Sequence, residues 1–335
     1  MKKILSIVAM CLVSLSMMAQ SQLVVTLTHG DTTTEFYGID AFQTAVNASQ
    51  NGDLLTFSPG IFHGGEIRDK GITLRGNGCE GENATIIDTD IAIYKPAADG
   101  TPTLNIQGFD CKKSIQFSGE TTNEDISISK CNMNSLWVRE TNRREGRVKK
   151  LNVIQCKIKG ESIFLQDSEA NFINSVVARF QYGYYNQHNY SFTNCVVYMP
   201  IETKVTYFAR NSIIITNSPS PTGTFILPPT LENCIVTNVL EDMSKIIPEY
   251  TATASQYLPM TSVFKTLTDV TLYEEDTFDL TESAAAILGT DGTQLGIHGG
   301  SLPYDTTTTY PRFLTFDVAE KAVDGKLAVS VSTTE

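Results

Sequence analysis

Cationic side chains between residues 139 and 159 point more directly to a ligand than any other stretch of the chain. This segment, which begins RETNRREGRVKK, holds eight lysines and arginines against two glutamates. Arginine binds a carboxylate or a sulfate through two parallel hydrogen bonds. The segment therefore predicts a site for an acidic ligand such as a uronate or a sulfated glycan. A solvated loop between strands is the alternative interpretation.

Aromatic side chains are concentrated in a later stretch, RFQYGYYNQHNY. When SLWVRE, SIFLQD, YGYYNQ and KVTYFAR are aligned, their aromatic residues fall in one column, and three of them are followed two positions later by a polar residue. Sugar rings stack on aromatic faces, and planar polar groups bind sugar hydroxyls. An interior aromatic stack is the alternative. The column predicts a ligand face composed of Trp137, Arg139, Phe164, Gln166, Tyr184, Asn186 and Tyr207.

The carboxylates of the sequence do not suggest a hydrolase or a metal site. Hydrolysis of a glycosidic bond requires two carboxylates that face each other. The nearest acidic pair, Asp88 and Asp90, is typical of a turn, and the acidic run from Tyr273 to Asp279 is interpreted as a solvated loop. No acidic cluster is dense enough for calcium and no His/Cys spacing suits zinc, so neither a metal nor another cofactor is expected.

If the protein is an enzyme, the remaining residues favour a polysaccharide lyase that needs no metal. A cationic side chain would neutralise the carboxylate of a uronate, and a tyrosine or histidine would act as base or acid. A tyrosine base requires a strongly lowered pKa, which adjacent arginines provide. The catalytic candidates are Arg139, Arg143, Lys149, Tyr184, Tyr185 and His188.

The first 20 residues have the pattern of a secretory signal peptide: Lys2 and Lys3, an apolar run, then Ala19-Gln20. The apolar run is too short to span a membrane comfortably, so a secreted protein without a transmembrane segment is expected. The formal net charge of -12 argues against general nucleic-acid binding.

A phrase that recurs about every 21 residues predicts the fold. LNIQGF, ISISKC, LNVIQC, ANFINS, YSFTNC, YFARNS and PTLENC each alternate apolar and polar residues up to a bend, and a second apolar stretch follows. No unit has room for a helix, so the pattern predicts an all-β, right-handed parallel β-helix from about Asp53 to Val239. Cys131, Cys156, Cys195 and Cys234 are expected to point inward in one stacked column and to remain unpaired.

Both ends of the predicted solenoid need covers, because an open end exposes unpaired strand edges. Residues 40–50 predict a helix with Asp40 as N-cap and Gln43 three positions later, and a hairpin precedes them. The predicted organisation is a signal peptide at 1–20, a β-helix at 21–300 with its cap at 21–52, and a strand-pair tail at 301–335. The stretch DGTQLGIHGGSLPYD is expected to form a last coil at the far end.

The helix followed by NGDLLTFSPGIFHG and GITLRGNG resembles the entry coil of the pectin lyase-like superfamily. The resemblance covers roughly residues 35 to 300. It implies a right-handed parallel β-helix and a secreted protein related to polysaccharide lyases and polygalacturonases. The polygalacturonase motifs N-T-D, D-D, G-H-G and R-I-K are absent.

The protein is therefore expected to be a secreted β-helix that binds an acidic polysaccharide. The open alternatives are a metal-independent polysaccharide lyase and a non-enzymatic adhesive or structural solenoid.

Overall fold

The computed structural model describes residues 23–94, 103–118, 122–123, 126–139, 147–148, 150–164, 169–182, 189–199, 207–216, 230–239, 251–308, 313–318 and 329–333. Most of them form a parallel β-solenoid built on two 12-stranded sheets, here called sheet A and sheet B. This confirms the predicted β-helix with an N-terminal capping helix and a C-terminal strand pair. Within these residues, none of the helices is both long and apolar enough to cross a bilayer.

Sheet A contains the strand that begins each repeat phrase, preceded by an antiparallel hairpin. Its strands in spatial order are Thr32–Tyr37, Val24–His29, Leu54–Phe57, Thr73–Arg75, Leu104–Gln107, Ile126–Ser129, Leu151–Ile154, Glu169–Ile173, Asn189–Thr193, Tyr207–Arg210, Thr230–Glu232 and Thr251–Thr253.

Sheet B contains the strands that follow the bend. They are Gly60–Phe62, Glu66–Arg68, Thr85–Ile87, Ile91–Tyr94, Phe109–Ser118, Asn132–Arg139, Lys157–Phe164, Val176–Tyr182, Val196–Met199, Ile213–Thr216, Ile235–Asn238 and Gln256–Pro259. Two small sheets pair Thr122–Asn123 with Arg147–Val148 and Phe313–Val318 with Val329–Thr333. The helices are Ala41–Ala48, Met260–Val263 and Glu282–Ala285.

A column of left-handed residues makes the bend between the two sheets. Lys130, Gln155, Asn174, Asn194, Asn211, Asn233 and Ala254 all have φ between 46° and 54°. Asparagine tolerates this conformation better than most residues, because its short side chain forms local hydrogen bonds. This explains why the repeat places Asn, Lys or Gln just before its small residue. These residues are called the turn column below.

The residue after each bend points into the solenoid, as predicted for the four cysteines, which are buried. From Cys131 to Cys234, each thiol or hydroxyl donates to a carbonyl of the preceding coil: Cys156 Sγ lies 3.5 Å from Ile128 O, and Ser212 Oγ lies 3.2 Å from Phe192 O. Cysteine and serine therefore interchange, since both supply a small donor at this point. The six cysteines among the described residues all have free thiols.

The predicted helix at 40–50 is confirmed as Ala41–Ala48, and its buried residues join the interior core beside Phe57. Asp40 occupies the N-cap position without a side-chain capping bond. Its carboxylate instead lies 2.8 Å from His63 Nδ1. Gln43 reaches across to the Glu66 backbone amide at 2.7 Å. The polar side chains at the helix start thus tie the cap to the first coils.

The predicted last coil at DGTQLGIHGGSLPYD is wrong. The final parallel strands are Thr251–Thr253 and Gln256–Pro259, one coil beyond Val239. Residues 288–308 run back along the turn column, with bonds from Asn211 Nδ2 to Thr290 Oγ1, from Asn174 Nδ2 to Gly299 O, and from Lys130 Nζ to Thr307 O. The turn side chains project outward and offer these donors, so the closing segment binds the side of the solenoid.

A second apolar core lies outside sheet B. Val176, Val196, Ile213 and Ile235 point outward from the late coils and are buried by residues of the segment from Met260 to Ile297. Apolar side chains on both faces of a sheet require a cover on each side. The C-terminal segment supplies that cover over the late coils.

A polar cleft on sheet B

At one outward-facing position of sheet B, the side chain is polar or charged in three successive coils and apolar in the others. In register, it is occupied by Ile86, Asp110, Asn132, Lys157, Val176, Val196, Ile213 and Ile235. Asp110, Asn132 and Lys157 break the apolar row, yet they are only 8%, 4% and 5% exposed. Polar groups buried to this degree need partners, because desolvation is costly. Three successive coils thus place an acid, an amide and an amine side by side.

These three residues form the floor of a cleft of about 640 Å³. The loop at 79–84 forms one wall, and the loop at 274–277 forms the other. Lys112 and Lys159 also line the cleft. This volume lies within the range of small-molecule sites. We call this feature the polar cleft.

Lysine contacts hold the walls and the floor together. Lys157 Nζ donates to the backbone oxygen of Glu274 at 2.7 Å, and Lys159 Nζ lies 2.7 Å from the Glu274 carboxylate. Lys112 Nζ lies 2.6 Å from Asp110 Oδ2. The C-terminal loop is therefore docked on the sheet by two cations that stand two residues apart on one strand.

The ionisable groups of the cleft have pKa values that are shifted in different directions. Burial lowers the pKa of Lys157, and the like charge of Lys159 lowers it further. The hydrogen bond from Lys159 lowers the pKa of Glu274, and the bond to Asp110 raises the pKa of Lys112. Burial raises the pKa of the Cys79 thiol well above its usual value, so this thiol stays protonated and is a poor nucleophile.

Asn132 has an unused acceptor at the centre of the floor. Its Nδ2 lies 3.3 Å from Cys79 O and 3.4 Å from Glu80 Oε1. Its Oδ1 is buried and has no hydrogen-bond partner among the described residues. An unpaired buried acceptor costs about 1–3 kcal/mol.

The composition of the cleft favours a hydroxylated ligand. Apart from Ala84 and Ile86, the side chains that line it are mainly polar or charged, unlike those of a site for an apolar ligand. The adjacent ammonium groups of Lys157 and Lys159 favour a carboxylate. The lowered pKa of Glu274 is the opposite of what a glycosidase acid requires. Across the described part of the chain, no group of three or more His, Cys, Asp or Glu side chains is arranged to hold a metal ion.

The predicted aromatic column does not form. Trp137 pairs with Ile163, whereas Phe164 pairs with Val138 and Tyr182. Trp137 and Phe164 are therefore one residue out of register and do not occupy the same position of a column. Tyr207 lies in sheet A, where it is buried with its ring 5.7 Å from that of Phe192. The alignment of the four segments placed Tyr207, from a strand of sheet A, beside residues from strands of sheet B because their local sequences are similar.

Most other predicted site residues lie outside the described residues, so their roles stay predictions. Only the backbones of Arg139 and Phe164 are described, as strand ends. The undescribed candidates are Arg143, Lys149, Gln166, Tyr184, Tyr185, Asn186 and His188.

Two members of the predicted cationic segment, Lys157 and Lys159, do lie in the polar cleft. Tyr273 to Asp279 form an irregular loop that is mostly exposed, as predicted, although Glu274 to Thr277 also wall the cleft and Phe278 is buried. Residues 88–90 form the bend between the strands Thr85–Ile87 and Ile91–Tyr94, as the turn interpretation predicts. Asp90 Oδ1 also accepts the Ser114 amide at 2.9 Å.

Asp110 and Asn132 are not among the residues predicted from the sequence, although a signal for them is present in it. The residue directly after the last residue of each repeat phrase, from Phe109 to Cys234, is Asp110, Asn132 or Lys157 in three repeats and Val or Ile in the next four. A switch from apolar to polar at one repeat position marks the place where an outer cover ends. Comparison with protein-family models, with curated proteins and with solved structures found no match for this chain.

Proposed function

We propose that this protein is an exported polysaccharide-binding β-helix and that the polar cleft is its ligand site. The observation that carries the proposal is the buried floor of Asp110, Asn132 and Lys157, which includes the unpartnered Oδ1 of Asn132. Sugar hydroxyls both donate and accept hydrogen bonds, so they match a floor that presents a carboxylate, an amide and an amine.

The ligand class that fits best is a glycan with an isolated acidic sugar. Lys157 and Lys159 would contact the carboxylate of a uronate. Six carboxylates and three lysines line the cleft. A polymer with a charge on every sugar would therefore meet repulsion along the walls, whereas a spaced uronate would not.

The direct test is titration calorimetry of the protein with oligosaccharides that carry one uronate per repeat, against a fully uronic polymer and a neutral one. The proposal expects the singly acidic ligand to bind most tightly. If no glycan binds, the proposal is wrong, and the function of a non-enzymatic adhesive or structural solenoid replaces it.

Lyase activity is a second candidate, favoured by the lowered pKa of Lys157 beside Lys159. Neutral Lys157 would take the proton next to the uronate carboxylate. The carbon–carbon double bond would then form as the neighbouring glycosidic oxygen leaves and is protonated by solvent. The test is ultraviolet absorbance of the unsaturated product during incubation with the ligand. Binding without this product limits the function to recognition.

Membership of the pectin lyase-like superfamily and export are parts of the same proposal. The parallel solenoid with a helical cap at its entry coil supports the first, and the signal-like residues 1–20 support the second. An experimental structure with left-handed coils would contradict the family assignment. Retention of the full-length chain inside expressing cells would contradict export.

A further inference from the structure

The polar cleft carries an excess of negative charge. Among the described residues that line it, three lysines stand beside six carboxylates. Lys112 Nζ lies 2.6 Å from Asp110 Oδ2, and these two charges cancel. Lys159 Nζ lies 2.7 Å from Glu274 Oε1, and these two also cancel. Within this lining, Lys157 then remains as one cation against four carboxylates, those of Glu80, Glu82, Glu275 and Asp276. A cleft with such an imbalance attracts positive charge.

The four uncompensated carboxylates come from both walls of the cleft. Glu80 and Glu82 belong to the loop at 79–84, and Glu275 and Asp276 belong to the loop at 274–277. Burial lowers the pKa of Lys157, and the charges of Asp276 and Glu80 act on that pKa in the opposite direction. Carboxylates of both walls therefore lie within electrostatic reach of one point on the floor. A positive group between the walls would interact with both of them.

Lys157 does not neutralise these walls by itself. It is only 5% exposed, and its Nζ already donates to the backbone oxygen of Glu274 at 2.7 Å. Glu82 and Glu275, in contrast, are exposed. One buried ammonium group cannot pair with carboxylates that reach solvent on two separate loops. The excess negative charge is therefore available to a ligand.

Two of the wall carboxylates are held in place by single hydrogen bonds to each oxygen that is used. Thr306 Oγ1 donates to Glu80 Oε2 at 2.8 Å, and the Tyr273 amide donates to Asp276 Oδ2 at 2.7 Å. A carboxylate has about four lone-pair sites, so each of these groups keeps room for a further donor. Groups fixed before binding lose less entropy when a ligand arrives.

We infer that the walls of the polar cleft bind an ammonium group, so that the ligand is an oligosaccharide in which a uronate is linked to an amino sugar with a free amine. The inference deepens the proposed function and rests on it, because the uronate contacts Lys157 and Lys159 of the same cleft. The floor marks the cleft as a ligand site independently of its walls. Asn132 is only 4% exposed there, and its Oδ1 has no partner among the described residues. An ammonium group offers three donors and no acceptor, which suits walls that present carboxylate oxygens.

A metal ion is the other kind of cation that acidic walls attract, and it fits this cleft less well. Calcium takes about six to eight oxygen ligands that converge on one point. Within the part of the chain that the structure describes, no three His, Cys, Asp or Glu side chains are arranged to hold a metal ion. A sugar amine needs no such convergence, because the rest of the ligand also holds it in the cleft.

The test is titration calorimetry of the full-length protein, with a chelator present and at about pH 6, where an amine is protonated. One ligand is an oligosaccharide of alternating glucuronate and N-acetylglucosamine, and the other is the same oligosaccharide after removal of its acetyl groups. Both carry one uronate per repeat, but only the second carries ammonium groups. We expect the free-amine form to bind at least about tenfold more tightly, with a smaller advantage at high salt.

Two variants each remove the charge of one wall carboxylate and keep its shape. They are Glu82→Gln and Asp276→Asn, one on each wall. We expect each to reduce the preference for the free-amine form about threefold or more. Glu35→Gln is the matched control, because Glu35 is an exposed carboxylate of the N-terminal hairpin and does not line the cleft. The control should keep the full preference.

Circular dichroism establishes that each variant is folded, and two positions guard against a single variant that fails to fold. Equal affinity of the unsubstituted protein for the two oligosaccharides would overturn the inference and leave the proposed function standing. Binding of neither oligosaccharide would contradict both. A preference that both wall variants retain in full would overturn the inference, because the amine would then be recognised outside these walls. Tight binding only when calcium replaces the chelator would also overturn it and assign the walls to a metal ion.

Discussion

Lys157 Nζ donates a hydrogen bond to the backbone oxygen of Glu274, a residue 117 positions later in the chain. This single contact joins the floor of the polar cleft to its C-terminal wall. Because Lys157 is nearly fully buried, the bond also satisfies an ammonium group that would otherwise be costly to desolvate. The cleft therefore depends on docking of the C-terminal segment on sheet B.

Replacement of Ile213 by Ala tests that docking. Ile213 is 1% exposed and belongs to the apolar core between sheet B and the C-terminal segment. We expect a loss of about 2–5 kcal/mol in the free energy of unfolding, since the change opens a cavity. Denaturant unfolding measures it, with Thr230→Ala, an exposed outward change on sheet A, as the control. Equal stability of the two variants would show that this outer core contributes little.

Replacement of Cys195 separates two interpretations of the inward column. Cys195 Sγ donates to Phe172 O at 3.3 Å in the preceding coil. Cys195→Ser keeps a small donor, so we expect little change in stability. Cys195→Val leaves the carbonyl without that donor, and we expect a loss of about 1–3 kcal/mol. If thermal unfolding shows the Val variant to be the more stable of the two, simple apolar filling explains the column better.

His63 makes the attachment of the cap helix depend on pH. Its Nδ1 lies 2.8 Å from Asp40 Oδ1 and its Nε2 lies 3.8 Å from Asp88 Oδ2. The hydrogen bond to Asp40 raises the pKa of His63. A raised pKa in the folded state means that this stabilisation is fully present below the unfolded pKa of about 6.5. It is lost as the pH rises through the folded pKa.

The measurement is the melting temperature of the unsubstituted protein minus that of His63→Gln, at about pH 5 and at about pH 9. The difference should be larger at the acidic pH. Gln keeps a hydrogen-bonding group of similar reach without titrating, so it isolates the charge. A difference that is the same at both values would mean that His63 does not link the cap to pH.

The fold was predictable because a local signal repeats. A strand, a left-handed residue and a small residue recur in seven successive coils from Lys130 to Ala254, so a single interpretation applied to most of the solenoid. The path of residues 288–308 was not predictable in the same way. It depends on side-chain contacts such as that between Asn174 and Gly299, which are 125 positions apart and follow no repeat.

The candidate site was predictable in part. The cationic segment contains Lys157 and Lys159, but its other members lie outside the described residues or outside the cleft. Asp110 and Asn132 were missed because each is an ordinary polar residue within its own repeat. Only a comparison of the same position across repeats reveals that these two interrupt an apolar row. The aromatic alignment failed since similar letters do not fix strand register.

The measurement that tests the central claim most directly is calorimetric titration of Lys159→Ala and Lys113→Ala with an oligosaccharide that carries one uronate per repeat. Lys159 lines the polar cleft, whereas Lys113 is an exposed lysine that does not, and both changes remove one positive charge. We predict that Lys159→Ala weakens binding about tenfold or more, with the larger loss at low salt, because a charge-assisted bond to the ligand is removed. Lys113→Ala should bind as the unsubstituted protein does. Equal affinity of the two variants would contradict the assignment of the polar cleft as the ligand site.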